Sequence, residues 1–176
     1  MHIYSMLTWP YIHLLINHFP VVLSAVGFVG VIAALIVPRR GIWIFAMATL
    51  VLAGLTVYPV RFTGDKADEA LNDPWYIRRG AIDEHDDASL YALIFLLLAG
   101  AASAYGLWRA VKRPEEKIPV WVRAVVVTTS LMGFATVART AYLGGKIIHE
   151  APILNLPSAP ANLPPGTATS PDSTEH

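Results

Sequence analysis

Four apolar runs, each long enough to cross a bilayer, constrain this chain more than any other feature. They cover about 11–37, 41–62, 86–109 and 120–143. The first contains no Lys, Arg, Asp or Glu and stops at Pro38-Arg39-Arg40. The second ends near Pro59, Arg61 and Thr63-Gly64. The third opens on Asp83-Glu84-His85-Asp86-Asp87 and ends at Arg109. The fourth carries Arg139 in its last turns and reaches Gly144-Gly145. A span needs roughly 20 apolar residues, and a helix satisfies its own backbone in lipid. The expected fold is all-α. It is an antiparallel four-helix transmembrane bundle over residues 1–151, followed by a disordered Pro-, Ala-, Ser- and Thr-rich tail over 152–176.

Composition agrees. Charged residues make up 15% of the chain, against about 25% in soluble domains. The formal net charge is zero, so the surroundings to expect are a lipid bilayer and not nucleic acid. There is no cysteine, which removes disulfides, thiolate zinc sites, Cys-ligated iron–sulfur clusters and covalently attached haem. Residues 1–10 hold no Lys or Arg, and no small-residue cleavage site follows. The first helix is therefore expected to be retained and not removed as a signal peptide. No internal sequence repeat is legible.

Local signals refine the four spans. Pro20 lacks an N–H and crowds the carbonyl of Ile16, which predicts a kink beside His18. Gly27, Gly30 and Ala34, and again Gly100, Ser103 and Ala104, offer small-residue faces for close helix packing. Thr63-Gly64 and Gly144-Gly145 are expected to terminate the second and fourth helices. Asp65 to Asn72 predicts a short surface helix, and Asp73-Pro74-Trp75-Tyr76 a turn with interfacial aromatic anchors. Arg39, Arg40, Arg109, Lys112, Arg113, Lys117 and Arg123 lie at one end of the bundle, which predicts a cytoplasmic face there and both termini outside.

Four passes place His13, His18, His85 and His149 at the other end, and the basic end has no histidine. Ionisable residues at membrane depth are expensive and point to function by default. Any one of these histidines alone reads as an amphipathic interfacial residue, as do His2 and His176 in the termini. Four together favour a shared site. Imidazole suits Zn, Cu, Fe and Ni, and bundle cores are a usual place for cofactors.

The expected ligand is haem b, with His18 and His85 as the axial pair. His13 and His149 are alternative or supporting ligands, and Arg61 and Arg139 face the propionates. Pairing of these arginines with the acids of residues 83–87 is an equal alternative. A copper or zinc ion held by His18, His85 and His149 ranks lower, because its ligands must converge to about 2 Å from one point. His13 and His18 are about 140° and 7.5 Å apart on an ideal helix and face different directions.

The matching function is a small haem b-binding, cytochrome-like protein that passes electrons between quinol and an extracytoplasmic acceptor. Two alternatives stand beside it: a cofactor-free structural or accessory subunit of a larger membrane complex, and a histidine-based transition-metal-binding membrane protein. No catalytic residue is assigned. Electron transfer or an accessory role fits better than a stand-alone enzyme.

Several of these residues also carry a family likeness. They are His13-Leu-Leu-Ile-Asn-His18-Phe-Pro20, Thr63-Gly64, Glu84-His85-Asp86-Asp87-Ala88 and Leu143-Gly144-Gly145-Lys-Ile-Ile-His149-Glu150. Residues 11–151 resemble the bacterial four-helix membrane family catalogued as domain of unknown function 2231. The resemblance implies a compact four-helix domain in a bacterial inner membrane and supplies no activity. Members joined to Rieske-type or cytochrome c modules point toward electron transfer. This chain lacks the cysteines such modules need, so a separate redox partner is implied.

Overall fold

The computed structural model describes residues 8–71 and 79–150, with side chains for 8–70 and 79–147. The described residues form five helices: α1 (Trp9–Ile16), α2 (His18–Ile36), α3 (Arg40–Leu71), α4 (Arg79–Lys112) and α5 (Val120–Glu150). α1 and α2 make one span, so four helical stretches are long and apolar enough to cross a membrane. The all-α four-helix membrane bundle read from the sequence is the fold observed. The expected turn at 73–76, the tail 152–176, His2, His176 and the His149 side chain lie outside the described residues.

The first span divides at Asn17. Pro20 has no N–H to give the carbonyl of Ile16, and the helical ladder is interrupted at that step. The helices pack in a closed ring, α2 on α3, α3 on α4, α4 on α5 and α5 back on α2, with α1 lying on α3. One core joins Val31 and Ala34 to Trp43, Met47 and Leu50, and to Ala110, Val122 and Val126. A second holds Ala53, Val57, Ala92, Leu96 and Val137. Phe28 of α2 stacks on Phe134 of α5, with centroids 5.2 Å apart.

α3 and α4 cross backbone to backbone at Gly54 and Gly100. A Cβ on Gly54 would stand 3.0 Å from the Leu96 carbonyl oxygen and 3.1 Å from the Gly100 Cα. Glycine at both positions is what lets the two backbones come this close. At the end of α4, Arg40 acts as a cap. Its guanidinium donates to the carbonyls of Ala110, Arg113 (3.3 Å) and Glu116 (2.8 Å). Arg109 and Arg113 hold the Glu116 carboxylate at 3.0 and 2.9 Å. Of these carbonyls Ala110's belongs to the last turn of α4, where carbonyls have no partner within the helix, and the other two lie in the loop beyond it.

Three helix ends differ from the local signals. α3 runs through Thr63-Gly64 to Leu71, absorbing the separate surface helix expected at 65–72. α4 begins at Arg79, ahead of the acidic stretch. α5 runs through Gly144-Gly145 to Glu150. A mid-helix glycine costs only about 1 kcal/mol relative to alanine, and contacts made beyond it can exceed that. Arg79 grips Asp68 at 2.8 and 3.2 Å, tying the extended end of α3 to the start of α4.

Two of the helices carry uncharged stretches of bilayer thickness. α3 is free of charge between Arg40 and Arg61, a rise of about 31 Å at 1.5 Å per residue. α4 is free of charge between Asp87 and Arg109, about 33 Å. Both match a hydrocarbon core of about 30 Å. Arg61 and Asp87 close these uncharged stretches at the same end of the bundle.

Candidate functional site: twin histidine sockets in one layer

His13 projects from α1 onto α3. Its Nδ1 lies 3.1 Å from the carbonyl oxygen of Val60 and 3.3 Å from Oγ1 of Thr63. The ring lies against Gly64, where a Cβ would stand 3.1 Å from Cε1 and 3.4 Å from Nδ1. Trp9 meets Phe62 edge to face at 6.1 Å and secures α1 one turn earlier.

His85 repeats this arrangement on the other half of the bundle. It projects from α4 onto α5, with Nδ1 3.0 Å from the carbonyl oxygen of Thr140. Its ring lies against Gly144, where a Cβ would stand 3.0 Å from Cε1 and 3.2 Å from Nδ1. In each socket the accepting carbonyl and the glycine are four residues apart, so they share one face of the receiving helix. The glycine gives the imidazole the space of a side chain.

A carbonyl only accepts, so Nδ1 carries the proton in both rings. Nε2 is left with its lone pair, and it has no hydrogen bond among the described residues. Ligating histidines are held this way, with one ring nitrogen donating to a carbonyl and the other turned to the metal.

The sockets lie in one layer. Arg61, next to Val60, reaches across to α4. It pairs with Asp86 at 2.8 Å, donates to the Asp86 carbonyl at 2.9 Å and bonds Ser89. Its Nε pairs with Asp65 at 3.3 Å. Residues 60–64 of α3 are therefore level with 85–89 of α4, which are level with 140–144 of α5.

The other sequence candidates are not part of the two sockets. His18 is exposed, with Nδ1 on the Leu14 carbonyl of its own helix at 3.0 Å. It is His13 that turns into the bundle. Arg139 is exposed. Arg61 is engaged by carboxylates, as the acid-pairing alternative has it. Among the described residues, no three His, Asp or Glu side chains converge to hold an ion.

Gly64, Gly144, Thr63 and the carbonyls of Val60 and Thr140 were not legible as site components. Thr63-Gly64 and Gly144-Gly145 stood out in the sequence, but as helix ends. An apolar groove of about 190 Å³, lined by Ala102, Tyr105, Trp121, Val122 and Val125, lies toward the opposite end of the bundle.

No family model, curated protein or solved structure matches this chain.

Proposed function

We propose that the protein takes a haem b at the histidine end of the bundle, which the imidazoles of His13 and His85 would hold. In this reading the protein passes electrons between a membrane quinol and an acceptor outside a bacterial inner membrane, with both termini on that outer side. Kinship with the domain of unknown function 2231 family belongs to the same proposal.

One observation carries it: two imidazoles from different helices, in one layer, each with Nδ1 tied to a carbonyl and Nε2 uncommitted. The donor set fits the group. Two imidazoles with Nε2 uncommitted are the donor set a haem b takes, and each ring is held in orientation by its carbonyl. A bound haem b supplies one-electron ferric/ferrous chemistry. The chain's part is to hold the ring orientations, fix the tautomers and set the surrounding charge. His13 replaces His18 in the pair because the His18 ring is exposed and bonded within its own helix. An ion coordinated by three or four side chains is less well supported, because no such cluster is present among the described residues.

A second reading has its own support. Each imidazole fills the gap over a glycine and satisfies a carbonyl, which is also how a packing histidine behaves. A cofactor-free accessory subunit would use the sockets as helix clamps.

Absorption spectra of the detergent-purified protein, oxidised and dithionite-reduced, separate these readings. Expression with ample haem should give a low-spin spectrum that His13→Ala and His85→Ala each abolish and His18→Ala keeps. Protein without haem absorption under those conditions overturns the haem reading. Stoichiometric copper or zinc in the same sample would favour the ion instead.

A further inference from the structure

We propose that Arg61 is the positioning residue of this site: its bridge to Asp86 ties the α3 turn that holds His13 to the α4 turn that carries His85. The inference deepens the haem reading and rests on it for its redox arm only.

The geometry is specific. Arg61 directly follows Val60, whose carbonyl orients His13. Asp86 directly follows His85. The guanidinium meets Asp86 with Nη1 at 2.8 Å and Nη2 at 3.0 Å, a two-pronged contact with the carboxylate. It also takes the Asp86 carbonyl and Ser89 from the same turn of α4. A planar fork held at several points transmits position, whereas a lysine ammonium acts as a point charge. The Arg61 side chain is 23% exposed, against 52% for Asp86, so the bridge is rooted on the α3 side and is partly shielded from solvent.

Two sockets on separate helix pairs need a link if their imidazoles are to keep a set separation. Within the described residues, Arg61 supplies it across α3 and α4 at the level of the rings. Its charge has a second consequence. A cation beside the site favours the ferrous form, and an acid beside it favours the ferric form.

The test uses full-length protein in detergent with ¹⁵N-labelled histidine. Arg61→Gln should shift the Nδ1 and Nε2 resonances of both His13 and His85 and leave those of His18 in place. Arg61→Lys should restore the charge but not the resonance positions. In haem-loaded protein, Arg61→Gln should lower the midpoint potential and Asp86→Asn should raise it. A merely structural loss would move both the same way.

Unchanged resonances for His13 and His85 in Arg61→Gln overturn the positioning role. Potentials that move together overturn the electrostatic part. If the wild-type protein takes up no haem, the haem reading fails, and the resonances alone decide the clasp. Should Arg61→Gln fail to fold, Asp86→Asn removes the partner's charge while keeping its shape and is read by the same resonances.

Discussion

The imidazole of His85 rests on the bare backbone of Gly144, and the imidazole of His13 rests in the same way on Gly64. Both rings donate from Nδ1 to the carbonyl one turn before the glycine. The two hairpins of the bundle thus carry the same socket.

The sockets make glycine substitutions unequal. A Cβ at Gly64 or Gly144 would sit 3.1 or 3.0 Å from an imidazole carbon, so the ring must move and stretch its hydrogen bond. Gly64→Ala and Gly144→Ala are each expected to cost about 1–3 kcal/mol, as overpacking does. At Gly145 a Cβ meets nothing within 4 Å. Gly145→Ala should be neutral, or stabilising by up to about 1 kcal/mol through helix propensity. Thermal unfolding in detergent measures all three, and equal effects at Gly144 and Gly145 would contradict the socket.

The crossing of α3 and α4 is less forgiving than a ring contact, because backbone meets backbone. Gly54→Val should force the helices apart and cost at least about 3 kcal/mol, the upper part of the overpacking range. Gly41→Val has open space at the same helix's start and serves as the control. The same unfolding assay reads both, and a Gly54→Val protein as stable as wild type would place the crossing elsewhere.

Arg40 closes the other end of the bundle. Arg40→Ala removes a charged donor from three carbonyls around the α4 terminus. Water reaches part of this site, so the expected loss is about 1–2 kcal/mol. Arg40→Lys should recover less than half, because one ammonium cannot span the same set of carbonyls. Full recovery with lysine would show that charge alone matters there.

Orientation follows from which end is cytoplasmic. The chain has no cysteine, so single cysteines report cleanly. Asp87→Cys and Glu115→Cys, both at exposed positions, should react with an impermeant maleimide from opposite faces, Asp87→Cys from outside. Labelling of both from one face would refute the four-pass topology, and reversed labelling would invert it.

Much of this protein is written in one dimension. Four apolar runs of membrane length, nearly free of charge and bounded by Arg, Lys, Asp and Glu, determine four helices long and apolar enough to span a bilayer, because backbone groups in lipid have few other ways to be satisfied. The alternation of runs and short links determines antiparallel neighbours and brings the histidines to one end. Helix ends were less legible. Gly144-Gly145 and Thr63-Gly64 carry stop signals worth about 1 kcal/mol, and contacts with other helices outweigh them. Which of His13 and His18 packs its ring on a neighbouring helix was not legible at all. Both sit in apolar surroundings, about 140° apart on the helix, and periodicity names no inward face where every neighbour is apolar. Tertiary structure decided it by docking α1 on α3, where Gly64 leaves space for a ring and the Val60 carbonyl accepts its proton. The repeat of that socket at Gly144 and Thr140 was hidden for the same reason. Its parts lie on different helices, and only packing brings a side chain, a carbonyl and a missing Cβ to one place.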